Sequence, residues 1–145
     1  MNIFSPLPTE MKEYYSLRWK ILRKPLGLKS GTEKDDIEDK SIHRIVKIDN
    51  KIVGVGRLHF VKNDITQIRY MAVDDVFRGI GVGSLIVNEF ILISNSENVS
   101  KIILNARQAV LNFYKKLDFH IVKEVHSLKN VRHFLMERIL IDKDK

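Results

Sequence analysis

No cysteine occurs among the 145 residues. That excludes a disulfide framework and any cysteine-ligated metal, and it agrees with a cytoplasmic home. Long apolar runs are missing too, since no stretch approaches the roughly 18 residues that a membrane span needs. Met1 to Leu7 carries no basic segment followed by an apolar run, so no signal peptide is expected. There is no His-Glu-x-x-His or comparable ligand spacing, and no metal is predicted. Repeats, low-complexity segments and linkers are absent, which leaves residues 1–145 as one expected domain, long enough for a real core. The net charge of +7 would suit nucleic acid if it were concentrated, but Lys and Arg alternate with Asp and Glu along the chain. No block of five like charges occurs, so nucleic acid is not expected, and a polyphosphate ligand would use the same positive field.

What is present centres on one stretch. Ile65 to Val73 is short, β-branched and aromatic, and reads as a strand. From Ser84 to about Asn95 the apolar residues recur at helical spacing. Between the two lies Arg78-Gly79-Ile80-Gly81-Val82-Gly83-Ser84. A strand that passes through a glycine-rich turn into a helix offers unpaired N–H groups at the positive end of the helix dipole, which suits a phosphate or pyrophosphate. The P-loop ending Gly-Lys-Ser/Thr is lacking, which argues against an NTPase. The dinucleotide spacing would need glycine at 84 or 86, where Ser84 and Ile86 stand.

The remaining pattern, Arg78-x-x-Gly81-x-Gly83 after Met71-Ala72-Val73, resembles the acyl-CoA pyrophosphate loop of the GNAT-type N-acetyltransferases. A second stretch, Asn112-Phe113-Tyr114-Lys115-Lys116-Leu117-Asp118-Phe119, is similar to that family's Asn-Phe-Tyr-x-Lys-Leu-Gly-Phe. It departs at Asp118, where the family usually has glycine; Asp tolerates a left-handed helix terminus better than most residues. Smaller matches at His43, Arg57-Leu58, Ile68-Arg69 and His133-x-x-Met136 resemble the ElaA-like branch.

The order of elements gives the fold class. A helix is expected over Glu10–Leu22, capped by Thr9, with Met11, Tyr14, Tyr15, Ile21 and Leu22 as a stripe that Arg18 interrupts. Lys29–Lys40 is a polar, acidic loop or short helix, read as a solvated connection or as a mobile wall of an acceptor site. A hairpin follows, His43–Ile48 and Lys51–Phe60 joined at Asp49-Asn50. Gly54 and Gly56 share one face of its second strand and suggest close packing or a bulge. After the strand–loop–helix unit come a short strand Lys101–Asn105, a helix Ala109–Leu117 and strands Phe119–Val125 and Val131–Ile139, with a frayed tail at Asp142–Lys145. This is α+β around a mixed, mostly antiparallel sheet with one parallel pair and flanking helices. The resemblance implies that the parallel pair splays around acyl-CoA.

The resemblance also implies the chemistry: acetyl-CoA gives its acetyl group to an amine acceptor, small-molecule or peptide-like, by direct transfer in a ternary complex. A backbone N–H among Met71, Ala72 and Val73, on a strand that in the family bulges before the loop, would support the thioester carbonyl, and Arg78 to Ser84 would hold the pyrophosphate. Asn105 and Asn112 would contact the cofactor. Tyr114 would protonate the departing thiolate, a task a neutral phenol can perform. The general base is open, because Gln67 stands where many relatives have glutamate; His43, His59, His133, an acidic residue of Glu33–Asp36 or a water chain are the candidates. Arg18, Arg23, Arg57, Arg69 and His133 are expected near the acceptor mouth, where arginines suit a carboxylate or phosphate on the acceptor, unless they pair with Glu33–Asp39 and hold the loop. A homodimer is compatible with the sequence. The alternative of another class is a module that keeps the fold and senses acyl-CoA without turnover.

Overall fold

The computed structural model of the protein describes residues 1–140; the tail expected to fray at Asp142–Lys145 lies outside them. The chain forms two compact units, Met1–His59 with Tyr70–Phe90, and Phe60–Arg69 with Ile91 onward. The first holds β1 (Asn2–Phe4), α1 (Met11–Leu22), β2 (Ile42–Ile48), most of β3 (Lys51–Lys62), the end of β4 (Ile65–Val73) and the start of α2 (Val82–Ser96). The second holds the rest of β3, β4 and α2, then β5 (Lys101–Arg107), α3 (Leu111–Lys115), β6 (His120–Leu128) and β7 (Val131–Ile139).

Strands follow the order β1-β2-β3-β4 in the first unit and β3-β4-β5-β7-β6 in the second. β2 and β3 are antiparallel, with Ile45 opposite Val55, and β5 and β7 are antiparallel, with Leu104 opposite Met136. β4 and β5 are parallel from Ile65↔Lys101 to Ile68↔Leu104. A parallel pair needs a crossover, and α2 lies between these two strands in the chain. The sheet is therefore mixed and mostly antiparallel, in an α+β fold, as the order of elements predicts.

Local chemistry accounts for the elements. Asp49 and Asn50 take φ of 49° and 66°, the pair of left-handed residues that a type I′ hairpin requires. Lys129 and Asn130 repeat this between β6 and β7 with φ of 50° and 65°. Gly54 and Gly56 let α2 lie close on β3, since a Cβ at Gly54 would stand 2.4 Å from Val82 Cγ1 and one at Gly56 2.7 Å from Ile86 Cγ2. Close packing is seen at both glycines, and the β2–β3 register also shifts beside Gly54, where Val46 faces Gly54 but Lys47 faces Ile52. Val82, Ile86, Val87 and Phe90 of α2 are buried, and Tyr14, Leu17, Ile45, Ile52, Val55 and Ala72 form a core cluster.

Several expectations need correction. α1 begins at Met11 without a side-chain cap, because Pro8–Glu10 forms a 3-10 turn in front of it and Thr9 lies inside that turn. Proline fits the first position of such a turn, having no N–H to satisfy. Arg18 does not interrupt the buried face of α1; it is itself fully buried. Lys29–Lys40 is a loop closed by a 3-10 turn, Glu38–Lys40, and it is no solvated connection throughout, since Glu33 is buried. β5 runs on to Arg107, and the predicted helix Ala109–Leu117 is a 3-10 turn, Gln108–Val110, followed by the short α3.

Candidate functional site

The glycine loop belongs to the first unit. Asp74 leaves β4 with its N–H on the Val53 carbonyl at 2.8 Å, and its carboxylate accepts the Val76 N–H at 3.1 Å. This starts a 3-10 turn, Asp75–Phe77, after which Arg78 is extended and Gly79 and Gly81 have φ of 80° and 95°. Side chains resist that region, so the loop's path requires glycine at both points. No atom lies within 4 Å of a Cβ built on Gly79, and only Met1 Cε, at 4.0 Å, meets one on Gly81. These two glycines therefore serve backbone conformation and access, whereas Gly54 and Gly56 serve packing. The Leu85 N–H reaches the Gly81 carbonyl at 3.0 Å, so the N–H groups of Val82, Gly83 and Ser84 have no carbonyl within the helix to meet. Arg78 is 60% exposed and its Nε touches Asp75 Oδ1 at 3.0 Å, an exposed pair of small net worth that a phosphate can displace.

The second unit carries Tyr114. Its ring is buried, with edge contacts to Phe113 at 4.9 Å and Phe119 at 5.8 Å between centroids. Burial pushes the phenol up to about 12, against the opposing charge of Arg107. A raised phenol contributes stability that is fully present below its unfolded value, near 10, and lost as the pH climbs through about 12. Tyr114→Phe should therefore remove on the order of 2 kcal/mol of alkaline destabilisation between those limits. Urea titrations of both proteins at pH 9 and 11.5 check this; parallel losses would refute it. Asp118 has φ of 67°, the left-handed terminus expected of it, and the Phe119 N–H closes the turn on the Tyr114 carbonyl at 3.1 Å. Asn105 and Asn112 are both exposed in this unit.

The histidines differ in what their rings have left to give. His133, opposite Arg107 in the β5–β7 register, has Nδ1 2.8 Å from the Val131 carbonyl. A carbonyl only accepts, so the neutral ring carries its proton on Nδ1 and Nε2 is the basic nitrogen. His43 has Nε2 2.7 Å from the Glu38 carbonyl and Nδ1 2.6 Å from the Tyr14 hydroxyl. Both its nitrogens are thus engaged, and burial holds its pKa below the usual histidine value. His59 Nδ1 lies 3.3 Å from Arg57 Nη2.

Two of the four expected acceptor arginines lie within the first unit's interior. Arg18 and Arg57 are fully buried. Arg18 Nη1 donates to Glu38 Oε1 at 2.9 Å and to the Glu33 carbonyl at 3.0 Å, and its Nη2 donates to the Tyr14 hydroxyl at 2.6 Å. Arg57 Nη1 donates to Asp35 Oδ1 at 2.6 Å and to Glu38 Oε2 at 2.9 Å. The sequence reading in which arginines hold the acidic loop describes these contacts. Arg23 Nε donates to the Thr32 carbonyl at 3.1 Å, also on the loop. Arg69 is exposed and belongs to the second unit. Sequence reasoning missed Tyr14 and Tyr70, which share this cluster, and gave Glu38 only as one of the acidic residues of Glu33–Asp39. The signal available for Tyr14 and Arg18 was their four-residue spacing on one helix face.

A glycine loop that feeds a helix head beside a mixed sheet is an arrangement suited to holding a phosphate group. A profile of the acetyltransferase (GNAT) family matches residues 9–119, and the chain belongs to that family. It is 27% identical over 119 residues to the uncharacterized N-acetyltransferase YjcF of Bacillus subtilis (strain 168), which covers 82% of this chain and 84% of YjcF. Among solved structures, Rv2747 from Mycobacterium tuberculosis in complex with CoA superposes with a TM-score of 0.78 at 14% identity, over 97% of this chain and all of that one. Escherichia coli ElaA matches with a TM-score of 0.78 at 17% identity, over 94% of this chain and 97% of its own. At such identities the likeness is one of fold. No helix among the described residues is long and apolar enough to cross a membrane, and no group of metal-ligating side chains occurs among them.

Proposed function

We propose that the protein is an acetyl-CoA-dependent N-acetyltransferase that passes the acetyl group directly to an amine, its two units acting as one catalytic domain in the cytoplasm. The observation that carries this is the loop: left-handed Gly79 and Gly81 lead into a helix whose first N–H groups face no carbonyl of their own. Those N–H groups and Arg78 hold the pyrophosphate. Main-chain N–H of Met71–Val73 supports the thioester carbonyl, Asn105 and Asn112 contact the cofactor, and Tyr114 protonates the leaving thiolate. His133 is the preferred base, through the Nε2 that its Val131 contact leaves basic. Acidic groups on the acceptor are the expected partners of Arg23 and Arg69, because Arg18 and Arg57 are fully buried.

Incubation with acetyl-CoA and a panel of amines, with release of free thiol as the readout, tests the reading. Thiol release that tracks an amine supports transfer; binding without release returns the sensor alternative, for which the absence of a glutamate at Gln67 leaves room. Acetyl-CoA should also raise the melting temperature, and Arg78→Ala should shrink that shift. An exposed charge-assisted contact is worth about 1.5 kcal/mol, or roughly tenfold in affinity. An unchanged shift in Arg78→Ala would remove this residue from the phosphate site.

A further inference from the structure

Tyr70 stands apart from the rest of the backbone. Its φ is 55°, inside β4, whereas the other left-handed residues with side chains lie in turns and at element ends. Among the described residues it is the one aromatic in that region. A bulky side chain takes it only where the surroundings over-determine it.

The surroundings are cationic. The guanidinium carbon of Arg18 lies 4.3 Å from the Tyr70 ring centroid and that of Arg57 4.9 Å. Both guanidiniums are fully buried, and both are tied to one carboxylate. Glu38 gives Oε1 to Arg18 and Oε2 to Arg57, each at 2.9 Å. It also accepts the Asp35 N–H at 3.0 Å, and its carbonyl meets His43. Glu38 therefore fixes the acidic loop and, through two arginines, the ring of the residue that immediately precedes Met71-Ala72-Val73. Cation–π attraction strengthens when the cation is desolvated, which gives this stack real holding power.

We infer that Glu38, Arg18 and Arg57 are positioning residues: together they clamp Tyr70 in its left-handed conformation, and seating of the 29–40 loop thereby sets the strand that faces the donor carbonyl. The last step rests on the transfer reading above; the clamp itself does not. A purely structural ion-pair network would stabilise the unit without regard to the backbone at residue 70. Glycine distinguishes the two, because Tyr70→Gly takes positive φ without a clamp.

The experiment combines Glu38→Gln and Arg57→Met, each in the native and the Tyr70→Gly background, with acetyl-CoA as the probe. NMR backbone shifts and the NH–Hα coupling report φ of Tyr70, and steady-state kinetics separate kcat from KM. Glu38→Gln keeps the side chain's shape and covers the case in which Arg57→Met fails to fold. In the native background either variant should move Tyr70 out of the left-handed region and lower kcat by about 10- to 100-fold, short of the full loss of an oxyanion donor, with KM for acetyl-CoA within about threefold. In the Tyr70→Gly background the same variants should cost kcat less than about threefold. A Tyr70 φ that stays positive in folded Glu38→Gln, or equal kcat losses in both backgrounds, overturns the clamp. A native protein without turnover would refute the transfer reading instead, and the φ comparison would still decide the clamp.

Discussion

Tyr114→Phe is expected to bind acetyl-CoA as the native protein does and to lose about 10²–10⁴-fold in turnover, the usual worth of a positioned general acid. The ring sits between Phe113 and Phe119 by edge contacts, which phenylalanine preserves, so the fold should tolerate the change. What disappears is the hydroxyl. Burial has pushed that phenol up to about 12, so it is neutral at physiological pH and carries the proton a leaving thiolate needs. Arg107, whose charge opposes that rise, keeps the phenolate from being prohibitively costly as the proton departs. Isothermal titration with acetyl-CoA and a thiol-release assay on the same preparation separate binding from chemistry. Native turnover in Tyr114→Phe would make Tyr114 a core aromatic and nothing more.

The parts of the site that were legible in the sequence are those whose chemistry is local. Gly79 and Gly81 announce positive φ because few other residues accept it, Asp49-Asn50 announces a type I′ turn for the same reason, and Asp118 could replace glycine at a helix end. The parts that were less legible depend on partners distant in the chain: pairing of the arginines with Glu33–Asp39 was one of two readings, and the full burial of Arg18 and Arg57 was not foreseen. Arg18 looked like a break in an apolar stripe, because the carboxylate that permits its burial, Glu38, lies 20 residues on. Arg57 needs the same Glu38 and Asp35 before burial costs less than exposure. The left-handed Tyr70 carries no local signal at all, since a tyrosine in an alternating strand reads as extended. Thr9 lost its cap to a competing local choice, the 3-10 turn that begins at Pro8.

The largest stability effect is expected at Gly54, away from the loop it supports. A Cβ there would lie 2.4 Å from Val82 Cγ1 and 3.2 Å from Ile86 Cδ1, well inside van der Waals contact. Valine is stiff at χ1, so Val82 cannot swing clear cheaply, and the first turn of α2 must move away from β3. Overpacking of this kind costs about 1–3 kcal/mol. That same turn carries the N–H groups assigned to the pyrophosphate, so Gly54→Ala should weaken acetyl-CoA binding as well as stability. Gly27→Ala is the contrast, since no atom lies within 4 Å of its Cβ and its φ of 72° brings only local strain. It should cost about 1 kcal/mol and leave acetyl-CoA affinity untouched. Denaturant midpoints and acetyl-CoA titrations on the two variants test the coupling of packing to binding. If Gly54→Ala is destabilised yet binds acetyl-CoA with native affinity, the head of α2 is not where the pyrophosphate rests.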